Sequence, residues 1–88
     1  MRYRLEIGEN VANKLDKLGT NASRIILKWV KKNIIETDNP RLHGKALTGD
    51  LKGLWRYRIG DYRLLADIND FELVIIAIDI GHRREIYN

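Results

Sequence analysis

Three arginines crowd into the run Leu54-Trp-Arg-Tyr-Arg-Ile-Gly-Asp-Tyr-Arg-Leu-Leu-Ala-Asp-Ile68. The segments on either side of Gly60-Asp61 are rich in aromatic and branched residues. Gly first in a two-residue loop suits a type II′ hairpin, because Gly accepts positive φ without a Cβ clash. Side chains alternate along a strand, so Trp55, Tyr57 and Ile59 share one face and Arg56 and Arg58 the other. A two-residue loop pairs Ile59 with Tyr62 and sets Arg58 directly opposite Arg63. Like charges facing each other across strands cost about 0.2–1 kcal/mol per pair. A solvated polar face accounts for any one of these arginines. Three on one side of a hairpin, followed by Gly81-His82-Arg83-Arg84, point instead to a phosphate site, since the guanidinium fork matches phosphate oxygens.

Other chemistries find little support. His43 and His82 stand apart in sequence, and no cysteine exists to join them in a metal set. No Gly-rich phosphate loop opens a helix. Ser23 is the lone serine and falls on an expected helix, a poor setting for a hydrolase nucleophile. What remains is arginine, His82 and a tyrosine near the chain end, Tyr87.

The elements that must position these residues follow from periodicity. Tyr3, Leu5 and Ile7 alternate with charged residues, a short half-buried strand ended by Gly8. From Glu9, Val11, Leu15 and Leu18 form one stripe of an amphipathic helix, with Gly19 as the residue that ends it. Thr20 or Asn21 is expected to cap a second helix, whose apolar side is Ala22, Ile25, Ile26, Trp29, Val30 and Ile34. Thr37-Asp38-Asn39-Pro40 stops it. Residues 41–53 carry three glycines and no clear period, hence a loop pinned by Leu42, Leu47 and Leu51. After the arginine hairpin, Asn69-Asp70 turns into Phe71–Ile80, apolar on both faces like a strand covered on both sides. The order β-α-α-β-β-β implies an α+β fold: an antiparallel sheet with an N-terminal helical hairpin packed on one face. Trp55, Tyr57 and Leu64 are expected to face the helices, and Arg63 and Arg83 to lie on the open face.

With 88 residues, residues 1–88 make a single domain with one modest core. The 44% hydrophobic and 32% charged fractions are those of a globular protein. No apolar run nears the roughly 18 residues a membrane span needs, and Met1-Arg2-Tyr3-Arg4 lacks a signal-peptide core, so no membrane partner is expected. The absence of cysteine fits a cytoplasmic location. A formal charge of +4 favours an anionic partner, most often nucleic acid.

The segments Gly44-Lys-Ala-Leu-Thr-Gly-Asp-Leu-Lys-Gly-Leu-Trp-Arg-Tyr-Arg-Ile-Gly-Asp-Tyr-Arg63 and Ile80-Gly-His-Arg-Arg-Glu-Ile-Tyr87 resemble the RelE/ParE superfamily of toxins from type II toxin–antitoxin pairs. The likeness runs nearly end to end. Its RelE branch cleaves messenger RNA in the ribosomal A site and so inhibits translation; its ParE-type members poison DNA gyrase. The RelE likeness implies an endoribonuclease in which a ribose 2′-hydroxyl attacks the adjacent phosphate, with no metal and no cofactor. It implies Arg63 and Arg83 as phosphate and transition-state ligands, Tyr87 stacking on or orienting the attacked nucleotide, and Arg56 and Arg58 as the basic residues before the turn. Arg84, Lys45 and Lys52 join as RNA contacts, although solvated loop lysines would look the same. The implied partners are a cognate antitoxin protein, mRNA in the A site and ribosomal RNA.

One departure bears on mechanism. Some relatives carry lysine where this chain has Arg56 and Arg58, and arginine effectively cannot lose its proton. Tyr87 and His82 are then the candidates for the general base, with His best matched to neutral pH. For His82 a catalytic role and a plain strand-end position stand level. His43 reads as structural or as an RNA contact. The alternatives are a ParE-like gyrase inhibitor without nuclease activity and a toxin-fold protein that binds RNA or the ribosome without cutting.

Overall fold

The computed structural model describes residues 3–82. Strand β1 (Arg4–Ile7) leads into helix α1 (Glu9–Leu18) and helix α2 (Thr20–Val30). Then come β2 (Lys45–Ala46), β3 (Trp55–Ile59), β4 (Tyr62–Asn69) and β5 (Val74–His82). The five strands form one sheet in the order β1-β5-β4-β3-β2. The sheet is antiparallel except that β1 runs parallel to β5, and the helical hairpin packs on one face.

The helix junction turns on one glycine. Gly19, at φ +93°, sits between α1 and α2 and donates its N–H to the Asp16 carbonyl. It also serves as the N-cap of α2, so neither Thr20 nor Asn21 caps with its side chain. Positive φ costs glycine nothing, and one residue does both jobs.

Ile26, Val30 and Ile34 are buried, and Trp29 packs against the same core. Steps of four residues overshoot a 3.6-residue turn by about 40° each, so in a straight α-helix Ile34 would stand about 80° round from Ile26, toward the edge of the apolar stripe. The last turn, Lys31–Ile35, instead widens into a π-helix, with Glu36 N–H reaching the Lys31 carbonyl at 3.0 Å. Asn33 donates from Nδ2 to the Trp29 carbonyl at 3.0 Å. Ile25, expected on the apolar side, is 62% exposed. It precedes Ile26 by one residue, and a helix rotates by about 100° in that step.

The core joins Val11, Leu15, Ile26, Val30 and Ile34 from the helices to Tyr57, Ile59, Leu64, Ala66, Ile75, Ala77 and Ile80 from the sheet. Tyr57 is fully buried, and its hydroxyl donates to the Pro40 carbonyl at 2.6 Å. Burial holds that hydroxyl protonated far above its usual range. Trp55 Nε1 donates to the His43 carbonyl at 2.6 Å. The segment between them is drawn tight onto β3. A Cβ on Gly44, at φ +90°, would collide with the Arg56 carbonyl oxygen. Residues 41–53 are thus more ordered than their glycines suggest, with β2 and a 3₁₀ turn at Gly49–Leu51 inside them.

The turn into β5 is longer than Asn69-Asp70. Asn69 Oδ1 accepts from the N–H groups of Phe71 and Glu72, and Leu73 takes φ +55°. Phe71 therefore stands fully exposed at the tip instead of starting the strand. Asp70 accepts Arg41 Nη1 and Nη2 at 2.9 and 3.0 Å and the Tyr3 hydroxyl at 2.6 Å. The Arg41 guanidinium, then Tyr3, hold its carboxyl below the ordinary range. A carboxylate whose folded pKa is depressed stabilises the fold above its unfolded pKa of about 4, and this is lost as pH falls through the lowered folded value. Asp70→Asn is expected to flatten that part of the acid limb in a melting-temperature series below about pH 4. An unchanged acid limb would mean that the exposed network contributes nothing.

Candidate functional site

The register of β3, β4 and β5 builds the site. Arg58 lies directly opposite Arg63, and Ile59 opposite Tyr62, across the Gly60-Asp61 loop. Gly60 has φ +61° while Asp61 stays out of the positive region, the pattern of a type II′ turn. On the far side of β4, Gly81 is in register with Arg63. One row across the sheet is therefore Arg58, Arg63, Gly81. The neighbouring row is Lys45, Arg56, Leu65, Asp79. Alternation places the first row, and Lys45, Arg56 and Leu65 of the second, on the face away from the helices, since Tyr57, Leu64 and Ile80 are in the helix-facing core; Asp79, at the end of the second row, reaches Lys14 of α1 instead.

Exposure divides the arginines. Arg58 is exposed and Arg56 half-buried, whereas Arg63 is only 8% exposed, with Nη1 donating to the Tyr62 carbonyl at 3.3 Å. The expectation of an open surface arginine thus holds for Arg58 and not for Arg63. Arg63 is on the middle strand, in register with Arg58 on one side and Gly81 on the other. A buried cation beside an exposed one makes a graded basic patch: Arg63 supplies fixed charge below, and Arg58 a reachable fork above. Such a patch can hold a phosphodiester and stabilise charge that grows on it.

The remaining sequence candidates fall as follows. Lys45, on β2, joins the basic face through its pairing with Arg56. Lys52, exposed after the 3₁₀ turn, has no register link to either row. His43 packs edge-on against Trp29, with ring centroids 5.7 Å apart, a structural placement. His82 takes the register position opposite Tyr62, one step beyond the residue aligned with Arg63. Arg83, Arg84 and Tyr87 lie outside the described residues. Gly81 joins the site by its register with Arg63 and carries no side chain of its own to signal it. Its value depends on a cross-strand alignment, and only the glycine itself hinted at it. Among the described residues no group of three or more His, Asp or Glu side chains is placed to hold a metal ion. No helix among them is long and apolar enough to cross a membrane.

Residues 5–87 match the family model described as the ParE toxin of type II toxin–antitoxin system, parDE. The chain belongs to the RelE/ParE superfamily of type II toxins. The toxin is 33% identical over 82 residues to Toxin RelE of Mycobacterium tuberculosis, covering 93% of this chain and 72% of that protein. Its fold superposes on the RelBE2 toxin–antitoxin complex of M. tuberculosis with a TM-score of 0.80 at 23% identity, over 94% of this chain and all of that one. The archaeal RelE–RelB complex of Pyrococcus horikoshii gives a TM-score of 0.70 at 28% identity, over 97% and 99% of the two chains.

Proposed function

We propose that this toxin is a ribosome-dependent endoribonuclease that cuts messenger RNA and is silenced by a cognate antitoxin. The observation that carries the reading is the Arg58–Arg63 pair, held in direct register beside Lys45–Arg56. An RNA phosphodiester lying over the pair would meet guanidinium donors from two adjacent strands.

In the proposed reaction the ribose 2′-oxygen attacks the adjacent phosphorus and gives up its proton to a base. The bond from phosphorus to the 5′-oxygen breaks, and that oxygen takes a proton. The products are a 2′,3′-cyclic phosphate and a free 5′-hydroxyl. Arg58 and Arg63 supply positive charge where the pentavalent phosphorane becomes most anionic, which lowers its energy electrostatically. Arginine cannot serve as the base, so that role stays with Tyr87 or His82. The described face presents phosphate ligands and no base, so the ribosome is assigned the task of presenting the nucleotide. The partner proposed for silencing is an antitoxin, as in the RelBE complexes, and it would cover the basic face with an acidic or amphipathic segment.

The family model's own description favours a second reading, gyrase poisoning without RNA cleavage. Pulse labelling after induction separates the two. An immediate stop in protein synthesis supports the nuclease, and an early stop in DNA synthesis supports gyrase. Purified toxin should cut mRNA on translating ribosomes far better than the same RNA alone. Equal cleavage of naked RNA would overturn ribosome dependence.

A further inference from the structure

Strand β5 contains a bulge. Ala66 pairs with Ala77, but the next residue back along β4, Leu65, pairs with Asp79, so Ile78 is an extra residue. Bulges of this kind reset which residues face which side of a sheet. Had the register upstream continued unbroken, Leu64 would face Asp79 and Arg63 would face Ile80. A carboxylate would then enter the helix-facing core, and a branched side chain would abut the buried arginine. With the bulge, Ile80 enters the core at 1% exposure and Gly81 falls beside Arg63.

Four contacts hold this bulge, and three come from α1, one of them from Asn10 Nδ2 to Asp79 Oδ1 at 3.5 Å. The parallel ladder with β1 ends at Ile7–Ala77. Just beyond it, Asn10 Nδ2 donates to the Ile78 carbonyl at 3.3 Å, taking over where β1 stops. Lys14 Nζ donates to Asp79 Oδ1 at 2.6 Å, and the same oxygen accepts the Ile80 N–H at 2.8 Å. The Lys14 and Asp79 side chains are 41% and 29% exposed, a setting where an ion pair adds little to stability. Stability alone is a weak reason for it. What the pair fixes is geometry.

We infer that Lys14, assisted by Asn10, is a positioning residue for the basic face: it pins the Ile78–Asp79 bulge and so keeps Gly81, not Ile80, beside Arg63. The inference rests on the proposed reading, in which a phosphodiester needs the space that Gly81 leaves. Lys14 lies on the helix side and takes no part in binding RNA itself.

The test compares Lys14→Met, Lys14→Arg and Asn10→Ala with the parent by two measurements on the full chain. The first is the cross-strand NOE between the Arg63 and Gly81 backbones, which reports the register whatever the activity. The second is the rate and KM for cleavage of mRNA on ribosomes. Lys14→Met should lose or weaken the NOE and slow kcat by roughly 10–100-fold with KM nearly constant, since misplacing an aligned group by about 1 Å costs about 10²-fold. Lys14→Arg should restore both, and Asn10→Ala should shift both in the same direction by less. A Lys14→Met chain that keeps the NOE overturns the inference, whether its activity survives or falls. In the latter case the lysine charge acts on RNA directly. A parent that cleaves nothing overturns the nuclease reading, while the NOE still decides whether Lys14 sets the register.

Discussion

Arg58→Ala is expected to slow cleavage by on the order of 10²–10³-fold, the usual loss when one preorganised donor to a developing anion is removed. It should melt with the parent, because Arg58 is exposed and its removal relieves a cross-strand repulsion. The affinity of the variant for a short single-stranded RNA should also depend less on salt, with the log–log slope reduced by about 0.7, one phosphate contact. Arg63→Ala should lose as much rate but also lower the melting temperature, since its side chain is buried in the middle strand. Single-turnover cleavage and thermal unfolding, run side by side on both variants, separate the effects. A fully folded Arg58→Ala that cleaves like the parent would remove the phosphate site from this face.

Tyr57→Ala should be the most damaging single change to the fold. Truncating a buried aromatic costs about 3–5 kcal/mol, against a total stability of about 5–15 kcal/mol for a domain. Tyr57 has no exposed surface, and it also ties Pro40 to the sheet. Trp55→Ala, at a half-buried position, should cost clearly less even though indole is larger. Tyr57→Phe should cost about 1–3 kcal/mol, the penalty for leaving a buried carbonyl without its donor. Urea midpoints at constant slope read all three. If Trp55→Ala proves as costly as Tyr57→Ala, the burial order described above is wrong.

The arginine hairpin was legible because each of its determinants is local. Gly60-Asp61 sets the loop length, and alternation then forces Arg58 onto Arg63 without reference to any other strand. The helices were legible for the same reason, down to Gly19 at their junction. What could not be read depends on distant partners. Nothing near Arg4 indicates that it pairs with Val74 in a parallel ladder. The bulge at Ile78 hides inside a run that is apolar at every position from Leu73 to Ile78, and only Asp79, just beyond it, marks the slip. Burial of Arg63 is a tertiary property, and the sequence around it says only that it is charged. Lys45–Ala46 is too short a strand to show a period.

The place of β5 in the sheet has a consequence for how the chain is made. Strand β5, the last of the described strands, lies between β1 and β4, and its partners in β1 precede it by about seventy residues. Contacts of such long sequence separation form late, because the loop they close must be ordered before they repay it. During synthesis at roughly 5–20 residues per second, the helices and the β3–β4 hairpin can assemble early, but β1 waits unpaired and β4 shows one bare edge. Gly81 reaches Arg63 only when β5 docks. On the proposed reading, the nascent toxin is therefore harmless to the ribosome translating it until β5 has been made and has docked.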